Sequence, residues 1–174
     1  YQRLAFDEIF STFLVNSEIR KKIKKIKKKS KFINKTKQNK IIKNLEFSLT
    51  NDQKKTLEEI NKDLSSTNKM FRLLQGDVGS GKTIISLLAA YNTVNSGFQV
   101  AIMAPTEILA RQHFNFAKKL FSKQINIELI SGKSEYRAKK QILKKLANNE
   151  INIIFGTHAI FQKKVIYKNL GLII

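Results

Sequence analysis

Residues 76–83 read GDVGSGKT, a spacing suited to holding a polyphosphate. Such an anion needs several main-chain N–H groups aimed at one point, and side chains on the loop would keep its oxygens away. Gly79 and Gly81 remove that obstruction and permit positive φ. Lys82 supplies a mobile ammonium for the β and γ phosphates, and the Thr83 hydroxyl is a ligand for Mg²⁺. A helix starting here aims the positive end of its dipole at the same anion. Gly76, Asp77, Val78, Gly79, Ser80, Gly81, Lys82 and Thr83 complete the pattern G-x-x-x-x-G-K-[ST], so a nucleoside triphosphate is the expected ligand. The alternative is a glycine-rich turn that matches by chance. Kinases, transporters, GTPases and helicases share such a loop, so it does not by itself name a task. A guanine-reading N-K-x-D is absent.

The loop must be mounted on regular elements, and the pattern around it supplies them. FRLLQ at 71–75 predicts the strand that leads in, and TIISLLAAYNTVNS the helix that follows, closed by Gly97. QVAIMA, INIELI and INIIFG predict further strands, separated by the helices EILARQHFNFAKKLF and SEYRAKKQILKKLANN. LGLII at 170–174 begins another apolar run, in which the sequence stops; we expect a fragment, incomplete at the C-terminus. Strands alternating with helices predict an α/β fold whose parallel sheet is covered on both faces. Upstream, Thr50 is placed as an N-cap, Gln53 completes a capping box, and Leu57, Ile60 and Leu64 line one helix face. Residues 3–29 predict an earlier helix, with Ile9, Phe10, Phe13 and Leu14 on an apolar stripe and a basic second half. Residues 30–48 show no period and are expected to be a linker. The division is a helical basic lead-in and linker at 1–45 and a nucleotide-binding lobe at 46–174.

The formal net charge is +20, unevenly spread. Between Arg20 and Lys43 stand 13 basic residues and no acidic one, whereas the remainder carries 20 basic and 13 acidic residues. This segment either touches phosphates or is a solvated face, and the abundance of Lys, Ile and Asn is also what a compositional bias would produce. The absence of cysteine excludes disulfides and thiolate metal sites. His113 and His158 lack the spacing of a metal pair. No apolar run reaches membrane-spanning length and the first residues do not resemble a signal peptide, so a cytoplasmic protein without membrane contact is expected.

Three further stretches narrow the task. FSLTNDQ at 47–53, MAPTEILARQH at 103–113 and GTHAIFQ at 156–162, taken with GDVGSGKT, resemble in order and spacing the first motor lobe of superfamily 2 helicases. Within that superfamily they are most similar to the RecG family, bacterial ATP-dependent helicases that remodel branched DNA; RLAFDEIF resembles the segment that leads into its motor. Transcription-repair coupling and primosomal translocases carry related but different versions, and an unrelated P-loop ATPase or kinase is a further alternative. The resemblance implies a RecA-like lobe that uses ATP and Mg²⁺. By position it implies adenine reading by Gln53, DNA backbone contact by Pro105, Thr106 and Glu107, and a second backbone contact by Gly156, Thr157 and His158. SGKSEYR resembles the family's next loop loosely, with Arg137 as its DNA contact. The resemblance also implies an Asp-Glu pair after the strand that LGLII begins, which would position Mg²⁺ and the attacking water. A second motor lobe and a branched-DNA wedge domain would belong to the same full-length chain, acting as a monomer. Without them this piece is expected to be inactive alone.

Overall fold

The computed structural model describes residues 2–121, 125–132 and 136–174. Among these residues four strands form one parallel sheet: β1 (Gln99–Met103), β2 (Ile127–Ile130), β3 (Ile153–Gly156) and β4 (Leu170–Ile173). Their spatial order is β2-β3-β1-β4. Val100 pairs with Ile153 and Met103 with Gly156, so β1 and β3 end level with one another.

The described residues form six helices: α1 (Gln2–Lys25), α2 (Lys35–Lys43), α3 (Asn51–Ser65), α4 (Lys82–Asn95), α5 (Glu107–Phe121) and α6 (Tyr136–Ala147). Strand alternation sets the two faces. Val100, Ile102, Ile153 and Phe155 pack with α4 and with Ala117 and Phe121 of α5. Ala101 and Ile154 point the other way, toward Leu146 of α6 and the 3-10 turn at His158–Phe161. The expected doubly covered parallel sheet is therefore present. Among the described residues no helix is long and apolar enough to cross a membrane.

Three elements differ from the sequence reading. Residues 71–75 belong to no helix or strand, and Phe71 and Leu73 are exposed. Alternation assigns faces, whereas a strand also needs a neighbour to complete its ladder, and this segment has none among the described residues. The first helix stops at Lys25 because residues 26–28 pair with 67–69: Lys28 N donates to Thr67 O and Lys69 N to Ile26 O. The expected linker at 30–48 contains α2. Asn34 caps it, accepting from Lys37 N at 3.0 Å, and Ile41 is buried in the core. A buried amide network holds α2 down: Gln38 Oε1 accepts from Asn61 Nδ2 at 2.8 Å and from Asn92 Nδ2 at 2.7 Å. The apolar stripe on α1 faces outward, with Ile9 and Phe13 exposed by 70% and 67%.

Candidate nucleotide site and flanking loops

The phosphate loop folds as its glycines require. Gly79 and Gly81 both have φ of 84°, and Gly81 is the left-handed residue from which α4 starts. Ser80 N donates to Asp77 O at 3.1 Å, which turns the loop. A Cβ on Gly76 would meet Ser80 Oγ at 2.7 Å, and one on Gly81 would run into the Gln53 amide. The Lys82 ammonium lies back across the loop, donating to Gly76 O at 2.7 Å and Asp77 O at 2.6 Å. Val78 is fully exposed at the loop tip, and Thr83 is half-buried on the first turn of α4. A lysine ammonium, loop amides and a helix N-terminus form a donor set that fits a polyphosphate. Among the described residues no group of three or more His, Cys, Asp or Glu could hold a metal. A divalent ion here would therefore rest on the Thr83 hydroxyl and on the phosphates it accompanies.

The expected capping box is complete: Gln53 N donates to Thr50 Oγ1 at 3.2 Å and Thr50 N to Gln53 Oε1 at 2.9 Å. The same amide reaches across to the loop, where Gln53 Nε2 donates to Ser80 O at 2.9 Å. One side chain thus ties the start of α3 to the phosphate loop. A second tie lies at the other end of α3. Arg72, on the segment leading into the loop, bonds Glu59 Oε2 and Asp63 Oδ2, each at 2.8 Å. The Asp63 bond is the largest cause of the raised Arg72 pKa. Glu59 and Asp63 stand four apart and so share a helix face. That spacing was visible in the sequence, but their cation was not.

Thr106 caps α5, accepting from Leu109 N at 3.3 Å, which satisfies one of the first amides that have no partner within the helix. Pro105 and Thr106 are exposed, while Glu107 is half-buried and reaches Arg111 at 3.5 Å. Because β1 and β3 end in register, the Pro105–Glu107 turn and the Gly156–His158 turn leave the same sheet edge side by side; Ala104 N donates to Gly156 O at 2.9 Å. Helix α4 runs back into β1 through a tight turn, which puts the phosphate loop at that edge too.

Gly156 is buried. A Cβ there would meet Ile160 Cγ2 at 2.6 Å and Ile130 O at 2.9 Å, so close packing is one reason for glycine at this position. Thr157 is half-buried and His158 exposed. Sequence reading passed over Tyr167, whose hydroxyl donates to Ile160 O at 2.8 Å and holds the turn behind His158. Burial pushes that phenol up to about 12. Arg137 is exposed on α6, and Lys133, Ser134 and Glu135 of the loosely matching loop lie outside the described residues.

A glycine-rich phosphate loop that opens a helix packed on a parallel sheet defines a P-loop nucleotide-binding lobe. The chain belongs to the DEAD/DEAH box helicase family, whose model matches residues 50–174. Among relatives, the ATP-dependent DNA helicase RecG of Aquifex aeolicus (strain VF5) is 42% identical over 180 residues, covering 100% of this chain and 22% of its own. RecG of Thermotoga maritima is 43% identical, covering 99% of this chain and 22% of its own. A solved structure of RecG bound to a three-way DNA junction superposes with a TM-score of 0.89 at 43% identity, covering 99% of this chain and 24% of that one. The UvsW helicase of bacteriophage T4 shares the fold, with a TM-score of 0.55 at 20% identity over 83% of this chain and 51% of that one. The chain thus spans about a fifth of the length of the curated relatives it matches.

Proposed function

We propose that residues 46–174 are the nucleotide-binding lobe of an ATP-dependent DNA helicase that remodels branched DNA, in replication fork reversal and Holliday junction migration. Residues 1–45 are its basic helical lead-in. The observation that carries this is the superposition of 99% of the chain, at 43% identity, on RecG bound to a three-way junction. A second motor lobe and a wedge domain in the same polypeptide complete the machine, which works as a cytoplasmic monomer.

The donor set supports the phosphate roles, and the family resemblance supplies those toward adenine and DNA. The loop amides from Gly76 to Thr83 cradle the triphosphate, and Lys82 exchanges its two carbonyl partners for β and γ phosphate oxygens. Mg²⁺, when bound, neutralises charge that develops on the phosphates, and Thr83 supplies its protein hydroxyl. Gln53 pairs with the adenine edge by giving up one of its two side-chain bonds. The N-terminus of α5, with Pro105, Thr106 and Glu107, meets a DNA phosphate. Gly156, Thr157 and His158 form a second backbone contact next to it. Both are backbone contacts, so preference for a branched substrate would come from DNA shape rather than base reading.

ATP turnover by the full-length protein, with and without forked duplex, tests this reading. Forked DNA should raise the rate, and Lys82→Ala should abolish it. A rate indifferent to DNA would sink the motor assignment even with ATP bound.

A further inference from the structure

The basic run from Arg20 to Lys43 divides in the fold into cations with structural partners and cations without. Lys28 Nζ caps the end of α3, bonding Leu64 O and Ser66 O, and Lys27 Nζ bonds Asn68 Oδ1. Lys31 is buried with its ammonium 4.9 Å above the Phe98 ring. Lys37, Lys40 and Lys43 instead line a groove of about 530 Å³ between α2 and the C-terminal end of α4, with Asn44, Tyr91 and Asn95. Among the described residues no carboxylate lines it. Lys37 Nζ donates to Asn95 Oδ1 at 3.2 Å. Lys40 and Lys43 have no hydrogen bond or ion pair among the described residues. Like charges three residues apart on one helix face repel, and no described side chain lining the groove is an acid that would offset them.

We propose that this groove is a second nucleic-acid contact, one that grips the sugar-phosphate backbone without reading bases. Three observations point there. The lysines recur every third residue, so their row spans about 9 Å of helix axis at 1.5 Å per residue. That length faces two or three consecutive phosphates, at about 3.4 Å of axial rise each on one duplex strand. The row is held in place rather than trailing: the Gln38–Asn61–Asn92 network and buried Ile41 fix α2 on the lobe. Among the described lining residues Tyr91 alone is aromatic, and it is buried and stacked on Phe121 at 5.6 Å, so it offers no platform for a base.

This contact is separate from the loops of the proposed motor site. Those loops gather where α4 begins, and the groove lies where it ends, about 21 Å away along a 14-residue helix. A strand held there would be gripped at both ends of the lobe.

The test is the salt dependence of forked-duplex binding by the protein, comparing wild type with Lys40→Gln/Lys43→Gln and Lys40→Arg/Lys43→Arg. Each duplex phosphate contact adds about 0.9 to the log–log slope. The Gln pair should therefore flatten it by about 1.8, so that the affinity lost between 50 and 200 mM salt shrinks by about 12-fold. The Arg pair should keep the wild-type slope, and ATP binding should be unchanged in both. Lys82→Ala should abolish ATP turnover yet leave the slope alone, which separates failure here from failure of the motor reading. A wild-type slope in the Gln pair overturns the proposal. So does a Gln pair that loses affinity for polyglutamate but not for DNA, which would make the groove a dock for acidic protein. Should the Gln pair not fold, Lys43→Gln alone, on the last turn of α2, should show about half the change.

Discussion

Gln53 is the side chain on which two roles meet, and its variants separate them. In the structure its Oε1 accepts from Thr50 N and its Nε2 donates to Ser80 O, both at 2.9 Å. Gln53→Ala removes both bonds. Each is exposed, so water replaces it in part, and each contributes near the lower end of the usual range, about 0.5 kcal/mol. Better helix propensity in alanine returns a few tenths. The net loss is about 0.5–1 kcal/mol, which lowers Tm by roughly 1–4 °C in a chain of this size. Gln53→Glu behaves differently. Its carboxylate still accepts from Thr50 N and gains from the positive end of α3, by about 0.3–1 kcal/mol, while an oxygen now faces Ser80 O. Stability should stay within about 0.5 kcal/mol of wild type, since that gain offsets the lost bond. Urea unfolding reads this part. Titration with ATP and GTP reads the other part, and both variants should lose the preference for ATP. Equal destabilisation of the two variants would refute the capping argument. An unchanged ATP-to-GTP ratio in both would refute adenine reading and leave the cap intact.

Gly156→Ala should destabilise by about 1–3 kcal/mol, because the new methyl is forced against Ile130 O and Ile160; a denaturant midpoint equal to wild type would contradict the close packing. Lys31 gives a pH dependence. Burial, then the neighbouring Lys28, pushes its pKa from 10.5 down to about 8. Between about pH 8 and 10.5 the unfolded chain binds a proton that the folded chain does not, so stability rises with pH in that window. Below pH 8 both forms are charged and the burial cost is present in full. The stability of wild type relative to Lys31→Met should therefore increase as pH is raised from 8 to 10.5, and a flat difference would show that the amine is not buried as a cation.

Legibility in the sequence tracked the range of the forces involved. The phosphate loop was readable because its chemistry is local: positive φ at Gly79 and Gly81, and a lysine and threonine opening a helix, all fall within eight consecutive residues. The Thr50–Gln53 capping box was readable for the same reason, as were α4, α5 and α6, whose apolar periods each face one side of the sheet. The strands at 99–103, 153–156 and 170–173 were readable as apolar runs, although their order was not. Pairing across a sheet joins residues far apart in sequence, and only the assembled sheet sets the Pro105–Glu107 and Gly156–His158 turns side by side.

Tertiary structure alone also decided the fate of the lysines. Composition treats Lys28, Lys31 and Lys43 alike. Packing caps α3 with the first, buries the second over Phe98 and aims the third into a groove. It likewise turned a stretch with no visible period into α2. That helix is short and polar, so its stability comes less from its own propensity than from buried Ile41 and three amides supplied by separate helices. Sequence by itself determined which residues can cradle a polyphosphate. Only the fold decided what stands beside them, because those contacts close across tens of residues and have no local signature.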